Sequence, residues 1–300
     1  MKVTAALSGG SVAARTTPEK FNRISPEVQA SSHWTPPSGT LGAIVAEATA
    51  RAQAMEARRN SLERACESTA TGPSLRAVLR NETVALLAEV KRRSPSKGAI
   101  AEALDAVEQA ERYARGGAAG VSILTEPAHF GGSIDDFVAV RQSIRLPILK
   151  KDFHIAPIQL LEARALGASA ALLIVRAVSP ERLHELLVMG RALGLELLVE
   201  VRDEAELELA LGEGADMVGV NNRDLETLHI DAATSDRLIP LIPGSVVAIA
   251  ESGVRTRADV ERYAAVGADA VLVGSSLSAA ADPVSAARTI ADVVRRPRAR

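Results

Sequence analysis

From Val84 onward the chain alternates short, near-continuous apolar runs with longer amphipathic ones. The apolar runs are VALLAEVK (Val84 to Lys91), GVSILT (Gly120 to Thr125), LPILKK (Leu146 to Lys151) and AALLIV (Ala170 to Val175). They continue with ELLVEV (Glu196 to Val201), MVGVN (Met217 to Asn221), VVAIAE (Val246 to Glu251) and AVLVG (Ala270 to Gly274). Each is five to eight residues long and rich in Val and Ile, the pattern of parallel strands covered on both faces. Helical stretches such as AEALDAVEQAERYARGG and SPERLHELLVMGRALG lie between them. Ser179-Pro180 reads as an N-cap and first helical residue, and Gly116, Gly194 and Gly267 fall where helices should stop. Gly117-Ala118, Gly167-Ala168, Gly214-Ala215 and Gly267-Ala268 recur at spacings of 50, 47 and 53 residues, two strand-helix units each. Eight such units with right-handed crossovers predict an α/β protein of the (β/α)₈ TIM-barrel class. An open doubly wound sheet fits less well, because no Gly-rich dinucleotide fingerprint follows the first strand.

The flanks read differently. Met1 to Ser38 is rich in Ser, Thr, Pro and Gly without sustained periodicity, which predicts a disordered extension. A transit peptide is the weaker reading, since Glu19 and Glu27 sit where acids should be scarce. Leu41 to Arg80 reads as helix broken at Thr71-Gly72-Pro73, able to cover either the bottom of a barrel or its mouth. The organisation expected is therefore an extension over residues 1–38 and one domain over 39–300, with extra helices at 39–82 and the barrel at 83–295. Arg295 to Arg300 reads as a solvated basic tail.

Composition narrows the class. Hydrophobic residues make up 47% but aromatics only 2%, so the core must be built from Ala, Val, Leu and Ile. A net charge of −2 argues against a general nucleic-acid binder. The single Cys66 excludes an internal disulfide framework and a multi-cysteine zinc site, and fits a reducing cytoplasm. No apolar run approaches the roughly 18 residues needed to span a bilayer, so no membrane partner is expected.

Barrel active sites form at the C-terminal ends of strands, and those positions carry a polar ring. The first strand ends with Glu89 and Lys91, two residues apart and so on one face, and the third ends Lys150-Lys151-Asp152. The fifth carries Glu200, the sixth ends with Asn221 and Arg223, and the seventh ends Glu251-Ser252-Gly253. The eighth ends Gly274-Ser275-Ser276. Small residues after strands seven and eight, followed by a short helix, match the phosphate site of barrel enzymes. There Gly253 and Gly274 let backbone approach the oxygens and Ser275 can donate. A lysine among carboxylates, as at Lys151, is a candidate general acid. Glu200 is a candidate partner for it or a proton shuttle, and Asn221 and Arg223 suit an anionic substrate. His129, His154, His184 and His229 share no ligand spacing and read as loop or helix-surface residues, so no metal is expected.

The motifs AEVKRRSPSKG, SILTEPAHFGGS, ILKKDFHI, LLVEV, GVNNRDLETL, AESGV and VGSSL together resemble the indole-3-glycerol phosphate synthase family, from about Leu41 to Ala280. The resemblance implies ring closure of 1-(2-carboxyphenylamino)-1-deoxyribulose 5-phosphate, with loss of CO₂ and water and without cofactor or metal. It implies that Lys151 is the general acid that activates the carbonyl and that Glu200 is its acid/base partner in the later dehydration. Lys91 would be a substrate-binding cation, and Glu89 would orient the lysines. Asn221, Arg223, Glu251 and Ser252 match further polar contacts, and Ser94, Gly253, Gly274 and Ser275 match holders of substrate and phosphate. The partner implied is a phosphorylated small molecule, with the protein a monomer or weak homo-oligomer. Ala48-Thr49-Ala50-Arg51 departs from the family's common Tyr-Lys-Arg run, and Leu75 from its common Phe. A phosphosugar isomerase such as phosphoribosylanthranilate isomerase would share the phosphate loops but needs an Asp and Cys pair, and Cys66 precedes the barrel. A catalytically silent scaffold barrel would have no reason to keep three costly charges at Lys91, Lys151 and Glu200.

Overall fold

The computed structural model describes residues 34–298. The eight apolar runs form β1 (Ala85–Val90), β2 (Gly120–Leu124), β3 (Ile148–Lys151), β4 (Ala170–Ile174), β5 (Glu196–Val201), β6 (Met217–Asn221), β7 (Val247–Glu251) and β8 (Ala270–Val273). Neighbours in sequence pair in parallel, and β8 returns to β1 in the register Ala85↔Ala270 to Ala88↔Val273, so the sheet closes into a barrel. None of these eight strands contains an aromatic residue. The bulky side chains Tyr113, Phe137 and Tyr263 are fully or almost fully buried, but on surrounding helices. Aliphatic strands inside and aromatic wedges outside are how a chain with so few aromatics fills its core.

Before the barrel come α1 (Gly39–Met55), α2 (Arg59–Ser68) and α3 (Leu75–Val78), with a break over the Thr71-Gly72-Pro73 stretch. This segment touches both ends of the barrel. Thr40 and Ile44 of α1 line the cavity at the mouth, while α2 packs Leu62 against Ile158 and Leu161 on the flank. At the bottom the Ser74 hydroxyl, which caps α3, donates to Glu196 at the start of β5.

The remaining helices are α4 (Ala106–Arg115), α5 (Pro127–Phe130), α6 (Ile134–Ser143), α7 (Pro157–Ala165), α8 (Pro180–Ala192), α9 (Glu204–Gly212), α10 (Ala233–Leu238), α11 (Arg257–Ala265), α12 (Ser275–Ser278) and α13 (Pro283–Ile290). Ser179 caps α8 with Pro180 in its first turn. The four Gly-Ala pairs share one ending. Gly117, Gly167, Gly214 and Gly267 have φ of +91°, +76°, +74° and +95°. The alanine N–H after each donates to the carbonyl five residues back, those of Tyr113, Ala163, Ala210 and Tyr263. Gly116, expected to stop α4, is still right-handed at φ −79°, and Gly117 makes the turn. The two halves of the chain also share Glu-Arg-Tyr-Ala before this turn, at Glu111 to Ala114 and Glu261 to Ala264. The Tyr113 hydroxyl donates to the Glu89 carbonyl, and the Tyr263 hydroxyl accepts from Asn222. Each tyrosine thus links a helix to a strand end at the mouth.

Arg295 and Arg298 correct the expectation of a solvated tail, whereas Arg296 is exposed and residues 299–300 lie outside the described residues. The side chain of Arg298 is buried, and its guanidinium donates to the carbonyls of Gly267, Ile242 and Val246 and pairs with Asp269 at 2.7 Å. Arg295 takes the other oxygen of Asp269 at 2.7 Å. A buried carboxylate at the foot of β8 requires cations, and the end of the chain supplies them. Of the predicted extension, residues 1–33 lie outside the described residues. Within Trp34 to Ser38 the Ser38 N–H and hydroxyl donate to Glu226, and the Thr35 carbonyl accepts from Arg176. Among the described residues no helix is long and apolar enough to cross a membrane.

Candidate active site

The C-terminal ends of the strands enclose a cavity of about 320 Å³. All twelve residues singled out from the sequence line it: Glu89, Lys91, Ser94, Lys151, Glu200, Asn221, Arg223, Glu251, Ser252, Gly253, Gly274 and Ser275. Lys151 is central. Its Nζ lies 3.0 Å from Glu200 Oε2 and 3.4 Å from Glu251 Oε2. Glu200 is fixed on its other oxygen by Asn221 Nδ2 at 2.8 Å, and Asn221 Oδ1 accepts the Arg223 N–H. Glu89 pairs with Lys91 at 2.8 Å, and the Lys91 ammonium also lies 5.4 Å from the centroid of the Phe130 ring.

Three buried carboxylates thus share two ammonium groups. Burial alone would lower the pKa of Lys151, but the carboxylates of Glu200, Glu251 and Glu89 raise it well above the usual lysine range. Burial pushes Glu251 up to about 8, with Glu200 and Glu89 adding to the rise and Lys151 opposing it. Arg223 differs from the other cations. Burial lowers its pKa, its guanidinium donates to the Leu228 carbonyl, and among the described residues it pairs with no carboxylate. A half-buried cation in that state favours an incoming anion.

Glycines make room for the acids. A Cβ on Gly219 of β6 would overlap Glu251 Oε1, and one on Gly274 would lie 2.5 Å from Glu89 Oε1. The requirement for glycine at 274 therefore comes in part from Glu89. In the turn after β7, Ser252 and Gly253 are both left-handed, at φ +65° and +86°. Such a conformation costs a serine roughly 1–2 kcal/mol and persists where surroundings enforce it. Here Asn222 Nδ2 donates to the Ser252 carbonyl, and Ser276 Oγ ties the β8 loop to the carbonyl of Val254. The two small-residue loops are thereby held side by side. A short helix, α12, follows β8, whereas β7 leads directly into the full-length α11.

The apolar wall of the cavity was not read from the sequence. Phe130 and Phe153, with ring centroids 6.0 Å apart, line it together with Ile44, Leu172 and Ile174. Their scarcity was the available signal, since the chain has only four Phe and two of them lie here.

Behind Lys151, its neighbour Lys150 points to the other side of the strand and is fully buried. Its Nζ lies 3.4 Å from Asp152 Oδ2, 3.3 Å from Glu162 Oε2 and 3.4 Å from His154 Nε2. Asp152 also accepts from Thr125 and from Arg51 of α1, at 2.6 and 2.9 Å. His154 is thus a core residue and not a surface one, with its other ring nitrogen 2.8 Å from the Leu172 carbonyl oxygen. Burial and Lys150 hold its pKa down at about 3. His129 lies beside Glu47, His184 beside Glu213, and His229 is exposed. Ligand atoms of Glu47, Glu126 and His129 come within 4.8 Å of one another. The Glu126 carboxylate, however, already accepts the N–H groups of Ala128, His129 and Phe130 as the cap of α5.

The sequence and the fold are similar to those of known proteins. A family model described as indole-3-glycerol phosphate synthase matches residues 41–290. The indole-3-glycerol phosphate synthase of Dehalococcoides mccartyi (strain CBDB1) is 49% identical over 207 residues, 68% of this chain and 80% of the relative. That of Streptomyces griseus is 47% identical over 239 residues, 79% of this chain and 88% of the relative. Among solved structures, 3-hexulose-6-phosphate synthase from Salmonella typhimurium superposes with a TM-score of 0.55 at 19% identity, covering 69% of this chain and 96% of that one. Thiamine phosphate pyrophosphorylase from Pyrococcus furiosus gives 0.53 at 18% identity, covering 71% and 95%. These two likenesses are of fold.

Proposed function

The chain belongs to the indole-3-glycerol phosphate synthase family, and from that premise we propose how its cavity closes the indole ring. The reaction joins the carboxylate-bearing ring carbon of 1-(2-carboxyphenylamino)-1-deoxyribulose 5-phosphate to the ketone carbon. The carbonyl π pair moves to oxygen, which takes a proton, while the aniline nitrogen supplies electrons to the ring. Loss of CO₂ returns the C–CO₂ bond pair to the ring. The new hydroxyl then leaves with a second proton as water, a neighbouring C–H proton is lost, and the indole double bond forms.

Each step asks for a group that the mouth of the barrel carries. Developing charge on the carbonyl oxygen calls for a fixed cation in a dry site, and Lys151 takes that role as the ammonium that activates it. Loss of the C–H proton calls for a base, and Glu200, oriented by Asn221, is the carboxylate assigned to the dehydration. Lys91 and Arg223 hold anionic parts of the substrate, with Glu89 positioning Lys91. Ser252 adds a polar contact beside them. Ser94, whose buried hydroxyl has no partner among the described residues, and the Gly253 and Gly274-Ser275 loops receive polar and phosphate oxygens. Phe130 and Phe153 form the apolar side on which the aromatic ring rests.

The observation that carries this reading is the Lys151 ammonium held between Glu200 and Glu251 beside two small-residue loops. An isomerase acting through a cysteine is disfavoured, because Cys66 sits on α2 with its thiol on the Leu161 carbonyl, outside the cavity lining. A single free cysteine also favours a reducing, cytoplasmic setting, and we take the working unit to be a monomer or weak homo-oligomer. Incubation of the purified protein with the carboxyphenylamino substrate should produce indole fluorescence without added metal or cofactor. Absence of that signal, with isomerisation of phosphoribosylanthranilate instead, would overturn the reading.

A further inference from the structure

The charge balance at the mouth leaves one carboxylate short of a partner. Glu89 of β1 has Lys91 at 2.8 Å, and Glu200 of β5 has both Lys151 at 3.0 Å and Asn221 of β6 at 2.8 Å. Glu251 of β7 has only the far side of the same Lys151, at 3.4 Å. Its other oxygen, Oε1, is buried with no hydrogen-bond partner among the described residues, in space kept open by Gly219 of β6. A buried ionised carboxylate with half its lone pairs unmet is costly, and a group so placed takes up a proton instead. Of the three acids Glu251 is the least compensated by its neighbours.

We infer that Glu251 is the neutral carboxylic acid of the free site and the donor of the proton taken up by the substrate's carbonyl oxygen, while Lys151 stays charged throughout. The donor assignment rests on the ring-closure reading above. It also divides what that family resemblance gave to one residue. An ammonium gripped by carboxylates polarises well but releases its proton poorly, since its pKa is raised. A carboxyl that titrates near the working pH releases its proton readily. As the C–C bond forms, the carbonyl π pair becomes an O–H bond with the proton from Glu251. The Glu251 carboxylate left behind is stabilised by Lys151 and is reprotonated from solvent.

Infrared difference spectra of the full chain in D₂O, taken without substrate, test the protonation state directly. The wild type should show the C=O stretch of a protonated carboxyl at neutral pH, and that band should disappear as the pH is raised. Glu206 of α9, pushed up to about 7 by burial, contributes in the same pH range, so the spectra are compared in a Glu206→Gln background, where the band should be absent from Glu251→Gln and retained in Glu251→Asp. In steady-state assays Glu251→Gln should lose roughly 10²- to 10⁴-fold in kcat with little change in KM, and Glu251→Asp should recover part of that loss. A Glu206→Gln parent without the band overturns the inference even if Glu251→Gln fails to fold, and so does a band that survives in a folded Glu251→Gln in that background or an unchanged kcat in Glu251→Gln. A protein that carries the band yet turns over no substrate would overturn the ring-closure reading, and with it the donor role.

Discussion

Gly219 matters for what its missing side chain leaves free. A methyl there would overlap Glu251 Oε1, so Gly219→Ala must push the acid out of place. Displacing a reacting group by about 1 Å can cost on the order of 100-fold in rate, whereas overpacking costs about 1–3 kcal/mol of stability. Gly219→Ala should therefore lose activity far out of proportion to its fall in Tm. Adding Glu251→Ala should restore Tm without restoring turnover, and a double variant as unstable as the single one would contradict this. His154 makes a second prediction at this scale. Its folded pKa lies far below its unfolded value of about 6.5, because burial and Lys150 disfavour the cation. The unfolded chain then binds the extra proton, so stability is complete above about pH 6.5 and falls as the pH drops toward the folded value. Thermal melts from about pH 7 to about pH 4 should show a shallower acid decline for His154→Leu than for the wild type. Neither residue was legible in the sequence. Lys150 and Lys151 are adjacent and alike, and it is the register of β3 that turns Lys150 away from the cavity, where it meets His154 in the core.

At the scale of elements, the eight strands were readable because parallel strands buried on both faces leave unbroken apolar runs. Their polar ends were readable because a charge that closes such a run has a limited set of places to go. The course of α1 was not, since amphipathic periodicity gives a buried face without naming what buries it. Arg51 supplies the answer. Its guanidinium reaches from α1 to Asp152 at 2.9 Å and to Glu126 at 3.6 Å, and so fastens the helix whose Thr40 and Ile44 line the cavity. Arg51→Ala should cost about 1–3 kcal/mol in stability and raise KM several-fold, with a smaller effect on kcat. Steady-state kinetics beside a melting curve would check both, and an unchanged KM would mean that α1 does not shape the substrate site.

Across the whole molecule the two ends of the barrel divide the work. The mouth collects the buried acids Glu89, Glu200 and Glu251 and the Lys151 ammonium, while the bottom is closed by Arg295 and Arg298 on Asp269. The arginine-rich terminus could not be read this way in advance, because its partner lies some thirty residues earlier and gains its need for a cation only through burial. Arg298→Ala should lower stability by about 2–3 kcal/mol and leave kcat and KM at room temperature unchanged, since the N-terminal face of a barrel serves stability and the chemistry lies at the opposite face. The chemistry of ring closure belongs to the other end. Its most direct test is a single-turnover reaction with substrate labelled in the carboxyl carbon, following CO₂ release and indole formation together in the wild type and in Lys151→Ala. One CO₂ should be released for each indole formed in the wild type, and both should be lost in a folded Lys151→Ala. Indole formed without matching CO₂, or near-normal turnover without the Lys151 ammonium, would contradict it.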